Sequence, residues 1–219
     1  MSNERSADRS GLLKCAVFMA LFLVTLIISK FVEVNAYKLT RYVVLFIIGV
    51  ILFKDDFLKG FKDWKAHPLK NSIWLVAGFI SLYIGQIIGS IPESIFFPDY
   101  SNINTDSVVD AIRILSPLIY FPIMGIFGPV VEEIIFRLIL VDKLRGKIPG
   151  VILVIMSGLL FTIYHMHAIS VPEFLSCLPH GLTGAVYAIV VLKGKNITTD
   201  CGIHILFNTL CLITYSISI

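Results

Sequence analysis

One long apolar stretch decides the fold class of this chain: residues 114–141 read ILSPLIYFPIMGIFGPVVEEIIFRLILV. Residues 114–131 carry no charge, and the apolar pattern then continues through Glu132, Glu133 and Arg137. A helix needs about 20 apolar residues to cross the hydrocarbon core of a bilayer. The stretch therefore predicts a membrane-spanning helix with three charged side chains inside it.

The composition extends this prediction to the whole chain. Of its 219 residues, 57% are hydrophobic and 15% are charged, and the net charge is +3. The mean hydropathy is +0.87. Soluble domains carry about 25% charged residues, so this chain cannot cover the surface of a soluble globule. We therefore exclude a soluble enzyme, a disordered chain and a nucleic-acid binder, and we predict an all-α, polytopic membrane protein.

Runs of residues with little or no charge predict seven transmembrane spans, within a range of six to eight. The six runs besides 114–141 are 15–29, 42–53, 71–92, 148–172, 174–192 and 201–219. No linker or internal repeat interrupts them, so we predict a single integral membrane domain, 1–219, embedded in the lipid bilayer. We expect the functional residues of this domain in its second half, about 111–219.

Lysine and arginine in the connections set the expected orientation. The basic segments that fall on one side are the N-terminus with Arg5 and Arg9, and residues 54–70, 143–147 and 193–195. Connections 93–110 and 166–173 hold no lysine or arginine, and only 33–41, with Lys38 and Arg41, breaks the pattern. Because cytoplasmic loops are enriched in basic residues, we predict a multi-pass cell-membrane protein with a cytoplasmic N-terminus.

The charged residues of the fourth span form a candidate site. The run 114–141 is longer than a bilayer needs, so we expect a kink or break near Gly128-Pro129, with Glu132 and Glu133 in the first turn of the second piece. Glu133 and Arg137 are four residues apart and can pair on one helical face. Glu132 points about 100° away and remains free. A free carboxylate in a dry site can act as a general base.

Two further spans carry polar residues at similar depth. His165 follows Phe161 by one turn, and His204 and Asn208 are four apart on one face. Counted at about 1.5 Å per residue, His165, His204 and Glu132 all fall near mid-membrane and can converge. Such a set can activate water and stabilise an oxyanion. Glu132, His165 and His204 could also hold a divalent metal such as zinc.

These residues resemble the CAAX protease and bacteriocin-processing family, or Abi family, of intramembrane endopeptidases. The family's signatures are EExxxR, FxxxH, a Phe–Gly helix and HxxxN, in that order. They are matched here by Glu132 to Arg137, Phe161 to His165, Phe174 to Gly181, and His204 to Asn208. The resemblance covers about residues 125–210.

The resemblance implies that Glu132 and His165 activate a water molecule, that His204 and Asn208 form an oxyanion hole, and that Glu133 and Arg137 support them. The expected substrate is a membrane-associated peptide or protein. Because the chain ends eleven residues after Asn208, bacteriocin self-immunity or peptide maturation fits better than CAAX processing. A non-catalytic immunity or binding protein is the alternative. A proton-relaying transporter is a third reading, which the motif order and the lack of an inverted repeat disfavour.

Overall fold

The computed structural model describes residues 2–32 and 35–218, with the side chains of residues 10–29, 31–32 and 39–218. In that part of the chain the regular structure is helical, without a β-strand. The α-helices are α1 (Ser2–Phe31), α2 (Asn35–Leu52), α3 (Lys54–Ala66), α4 (Pro68–Phe96), α5 (Ile103–Ile114), α6 (Pro117–Pro122), α7 (Gly128–Glu133), α8 (Gly150–His165), α9 (Val171–Ser176), α10 (Leu178–Gly194) and α11 (Ile197–Ser218). Two π-helical segments, Ile123–Phe127 and Ile134–Asp142, flank α7.

The helices form a membrane bundle, as predicted. Each of the seven predicted spans overlaps a helix. Within the described ranges, three helices are long and apolar enough to cross a membrane by themselves: Ser10–Ser29, Pro68–Phe96 and Ile197–Ser218. Large apolar side chains face outward along the helices, for example Leu23, Ile84 and Ile155, which are 48%, 52% and 62% exposed. Outward apolar side chains of this kind are suited to lipid contact.

Contacts between connections bring three of the predicted basic segments, 54–70, 143–147 and 193–195 with its neighbour Asn196, to one end of the bundle. Lys143 Nζ lies 2.6 Å from Asp56 Oδ1, and Asn196 donates to the Gly60 carbonyl oxygen over 3.1 Å. At the other end, Tyr100 donates to Glu173 over 2.8 Å and Asn102 donates to the Ser176 carbonyl over 2.9 Å. The side chains of three residues used for the predicted orientation lie outside the described residues: Arg5, Arg9 and Lys38.

Of the kink or break expected at Gly128-Pro129, the break is wrong and the kink stays a prediction. Phe127 and Gly128 both have helical backbone angles, so the chain continues through this point from Pro117 to Asp142. The long apolar run is broken earlier, at Leu115 and Ser116, which have extended backbone. Pro117 explains this position, because a residue before proline avoids the α conformation and proline suits the first turn of a helix. Glu132 and Glu133 therefore lie far from a helix N-terminus, and the expected dipole effect does not apply.

Two segments predicted as connections are partly helical. Residues 54–66 form α3, and residues 103–110 belong to α5. Spacing that could have revealed α3 is present, because Phe57, Phe61 and Trp64 recur at intervals of four and three. The helix in the predicted span 148–172 is also shorter than expected, since α8 ends at His165.

Small residues bring α8 and α10 into close contact. A Cβ atom on Gly158 would lie 2.7 Å from the carbonyl oxygen of Gly181, and one on Gly184 would lie 2.8 Å from Phe161 Cβ. Such distances are too short for larger residues, so the glycines permit close backbone approach, as is common between membrane helices. The contact places His165, at the end of α8, beside the start of α10.

Candidate active site

Glu133 and Arg137 form the buried ion pair that their spacing predicts. Arg137 Nε lies 3.3 Å from Glu133 Oε2, and both side chains are 0% exposed. The guanidinium of Arg137 also lies over the rings of Phe161 and Tyr187, at 4.3 and 4.7 Å from their centroids. Arg137 thus links the fourth predicted span to α8 and α10 through one cation and two aromatic faces.

His204 joins the two carboxylates. Its Nδ1 lies 2.7 Å from Glu133 Oε1, within hydrogen-bonding distance, and its Nε2 lies 3.7 Å from Glu132 Oε2. The second distance is too long for a direct hydrogen bond but short enough for charge attraction. As an imidazolium, His204 donates from both nitrogens. Glu133 therefore holds the ring, and Nε2 points toward Glu132.

Tyr187 also contacts His204, and the sequence analysis missed this residue. Its ring stacks on that of His204, with 4.7 Å between centroids, and it is fully buried. A second missed residue, Asp200, is also fully buried on α11, one turn before His204. The repeated spacing of four from Asp200 through His204 to Asn208 is the signal that could have identified it.

His165 has a defined tautomer. Its Nδ1 lies 2.8 Å from the carbonyl oxygen of Phe161 in the same helix. Since a carbonyl only accepts, Nδ1 carries the proton and Nε2 carries the lone pair of the neutral ring. The ring also stacks in parallel on His180, with 4.1 Å between centroids. The ring of His180 thus lies directly against a predicted catalytic histidine.

Asn208 lies one turn beyond His204 on α11. Its side-chain nitrogen donates to the main-chain oxygen of Met124, over 3.2 Å. Met124 belongs to the π-helical segment Ile123–Phe127, and π-helical turns are frequent at functional sites. One amide N–H of Asn208 is used in this bond, and its second N–H can serve another acceptor.

One cavity of about 810 Å³ brings the predicted catalytic residues together. Glu132, His165, His204 and Asn208 all line it, as does His180. Glu133 and Arg137 are not among the lining residues and lie behind the wall. The cavity continues to Asn102 and His167, which lie toward the end of the bundle that is poor in lysine and arginine. The arrangement can bind a peptide group near a carboxylate, two imidazoles and an amide.

The residues proposed as metal ligands do not form a recognisable metal centre. Within the described ranges, no group of three or more His, Cys, Asp or Glu side chains is placed to hold a metal ion. Glu133 lies at Nδ1 of His204, so a neutral ring that donates from Nδ1 keeps its lone pair on Nε2, 3.7 Å from Glu132 Oε2. The metal set of Glu132, His165 and His204 stays a prediction.

Comparison with known proteins confirms the resemblance. Residues 114–210 match the family described as Rce1-like, type II CAAX prenyl endopeptidases. This segment contains all six residues singled out by the sequence motifs. It includes α6 to α10 and the first two thirds of α11, and the first half of the chain lies outside it.

Two curated proteins are similar over longer stretches. "Putative membrane peptidase YdiL" of Bacillus subtilis is 29% identical over 142 residues, which are 64% of this chain and 55% of that protein. "Membrane-embedded CAAX protease MroQ" of Staphylococcus aureus is 27% identical over 207 residues, covering 85% of this chain and 81% of that protein. The chain thus spans little more than half the length of the Bacillus protein. No solved structure matches the chain.

Proposed function

We propose, starting from the Rce1-like match over residues 114–210, that this chain is an intramembrane peptidase that hydrolyses a peptide bond of a membrane-associated peptide or protein. The observation that carries the proposal is the convergence of Glu132, His165, His204 and Asn208 on one cavity. Peptide hydrolysis needs a base for water and donors for the oxyanion, and these four side chains supply both.

Glu132 and His165 serve as the groups that activate water. The carboxylate of Glu132 or the Nε2 lone pair of His165 takes one proton as the water oxygen attacks the carbonyl carbon. The same proton then passes to the leaving amine as the C–N bond breaks. Phe161 contributes by fixing the tautomer of His165, because its carbonyl oxygen accepts from Nδ1.

His204 and Asn208 serve as donors to the developing oxyanion. A protonated His204 donates from Nδ1 to Glu133 and keeps Nε2–H available toward the cavity. Asn208 has a second amide N–H besides the one bound to Met124. Donors fixed before the reaction stabilise developing charge without reorganising, which typically accounts for a factor of about 10²–10³ per donor. Glu133 and Arg137 keep His204 in position.

Peptide cleavage by purified protein tests this proposal. Glu132→Gln preserves size but removes the base, so we expect hydrolysis of hydrophobic fluorogenic peptides to fall at least 10²-fold. Asp110→Asn is the matched control, since Asp110 is an exposed carboxylate on α5. Full cleavage by Glu132→Gln contradicts the assigned role, and absence of cleavage by the unaltered protein contradicts the enzyme class.

The biological role we propose is self-immunity to a bacteriocin or maturation of a peptide. A cell assay separates this role from the non-catalytic alternative. If immunity requires proteolysis, cells that express Glu132→Gln at normal abundance lose protection. If they remain protected, the chain acts by binding the toxin or its receptor.

A further inference from the structure

Arg41 is a buried cation that, within the described residues, interacts with the hydroxyls of Tyr164 and Tyr42 but forms no ion pair with a carboxylate. The sequence analysis placed it in the connection 33–41, but it lies inside α2 and is 8% exposed. Its Nε and Nη1 atoms are buried and make no hydrogen bond. Among the described acidic side chains, none forms an ion pair with it. An unpaired charge inside a membrane bundle is costly and is a marker of function.

Aromatic side chains hold Arg41 at the cavity that contains the candidate site. Its guanidinium carbon lies 4.6 Å from the ring centroid of Tyr42 and 5.8 Å from that of Phe22. The Tyr42 hydroxyl lies 2.7 Å from the hydroxyl of Tyr164, which directly precedes His165 on α8. Arg41, Tyr42 and Tyr164 all line the cavity. Arg41 is therefore fixed on the wall that α2 contributes.

Among the described residues that line the cavity, Arg41 is the sole lysine or arginine. The acidic side chains that line the same cavity are Glu132 and Glu93. Neither lies within ion-pair distance of Arg41 among the described contacts, whereas Glu132 faces His204 at 3.7 Å. An anion that enters the cavity would therefore find a guanidinium that no described carboxylate pairs with, and guanidinium groups bind carboxylates with strong, charge-assisted hydrogen bonds.

We propose that Arg41 binds a carboxylate of the substrate and so selects which peptide segment enters the cavity. This inference rests on the proposed peptidase function, because it assigns the ligand of the same cavity. The carboxylate belongs either to the C-terminus of the peptide or to an aspartate or glutamate side chain. Arg41 acts in binding, and the water-activating groups remain Glu132 and His165.

Binding to the Glu132→Gln protein, which is expected to hydrolyse peptides at least 10²-fold more slowly, provides the test. The probes are three N-acylated hydrophobic hexapeptides of otherwise equal sequence. One has a free C-terminal carboxylate, one has a C-terminal amide, and one has the amide together with an internal glutamate. We expect one carboxylate peptide to bind about 10- to 100-fold more tightly than the neutral amide, since a charged hydrogen bond is lost.

Variants of Arg41 identify the donor. Arg41→Gln in the same protein is expected to abolish the preference for the carboxylate, and Arg41→Lys to retain part of it. Arg113→Gln is the matched control: it removes the same charge from an exposed arginine on α5, and the preference should persist. The preferred peptide, free terminus or internal glutamate, distinguishes the two sources of the carboxylate.

Three outcomes overturn the inference. Equal binding of all three peptides by protein with Arg41 intact shows that no carboxylate is recognised, and this result needs no Arg41 variant to fold. A preference that survives Arg41→Gln assigns recognition elsewhere. In otherwise unaltered protein, an equal fall in kcat for all three peptides on Arg41→Gln, with KM unchanged, shows that Arg41 acts on Glu132. Carboxylate binding that depends on Arg41 without cleavage of any peptide would instead contradict the proposed peptidase function alone.

Discussion

The two neighbouring glutamates differ in how they contact His204. Glu133 Oε1 is hydrogen-bonded to its Nδ1, whereas Glu132 Oε2 stands 3.7 Å from its Nε2 and faces the cavity. Helical geometry separates adjacent residues by about 100°, so one carboxylate can anchor the ring while the other remains available for chemistry. The two positions therefore respond differently to the same substitution.

We expect Glu133→Gln to damage both stability and turnover. The change leaves Arg137 as an uncompensated buried cation, which typically costs about 3–5 kcal/mol, and it loosens His204. A lower Tm in detergent, lower membrane abundance and lost cleavage should appear together. Glu132→Gln provides the contrast, because it should keep the wild-type Tm. Normal Tm and turnover in Glu133→Gln would show that the buried pair supports neither.

Asn208→Ala is expected to reduce kcat about 10²–10³-fold while KM changes little, if Asn208 donates mainly to developing charge. Thr214→Ala is a suitable control, since Thr214 is an exposed residue of the same helix and its hydroxyl donates only to the carbonyl oxygen of Leu210, one turn earlier. A large rise in KM with kcat intact would make Asn208 a substrate-positioning residue instead.

Sequence spacing could predict the Glu133–Arg137 pair because both residues belong to one helix, where a separation of four sets the geometry. It could not predict that His204 bridges the carboxylates, because that contact joins residues 71 positions apart. Arg41 was missed for a related reason. A charged residue at the edge of an apolar run gives the same sequence pattern whether its side chain faces water or a cavity.

At the level of elements, a polar clamp fixes the start of α11. Asn196 donates to Asp63 Oδ2 over 3.0 Å and to Asn71 Oδ1 over 3.1 Å. Lys70 donates to Asp63 over 2.9 Å. These bonds tie α3 and α4 to the helix that carries His204 and Asn208. The segment 54–70, predicted from its lysines as a basic connection, thus also positions the site.

The clamp predicts a dependence of stability on pH. The hydrogen bond from Lys70, aided by those from Asn71 and Asn196, lowers the pKa of Asp63 below its ordinary value near 3.8. Because the folded state binds this proton only at lower pH than the unfolded chain does, the stabilisation is complete above about pH 4 and is lost as the pH falls through the lowered pKa.

Thermal unfolding of detergent-solubilised protein between pH 3 and pH 7 measures this effect. Asp63→Asn should lower the Tm at neutral pH and flatten its fall below pH 4. Asp55→Asn, an exposed carboxylate in the same helix α3, should leave the wild-type profile in place. Identical pH profiles for Asp63→Asn and the unaltered protein would show that the clamp does not cause the pH dependence of the Tm.

For the whole molecule, the grouping of basic connections predicts topology. A reporter inserted after Gly146, in the turn that contains Lys143, Arg145 and Lys147, should read cytoplasmic, and one inserted after Ser101 should read external. Reporter activity at these two sites in intact cells decides the matter. The opposite result at both sites inverts the bundle, and the cavity would then open toward the cytoplasm.

The charge-free runs could predict the bundle because burial in lipid imposes a composition on every span. They could not predict the π-helical segments around Glu132 and Glu133, since those depend on how the turns pack against neighbouring helices. Ser116-Pro117 did carry a local signal for the true helix start, through the restriction that proline places on the preceding residue.

The hydroxyl contact between Tyr42 and Tyr164 has a consequence for how such a protein can diverge. Tyr164 belongs to the matched segment 114–210, and Tyr42 lies outside it. The cavity is therefore assembled from two stretches of chain that can change at different rates. Mutations in α1 and α2 can alter which molecules are admitted while the residues proposed for hydrolysis stay intact. Lineages could in this way acquire new targets through a part of the chain that lies outside the segment matched to the family.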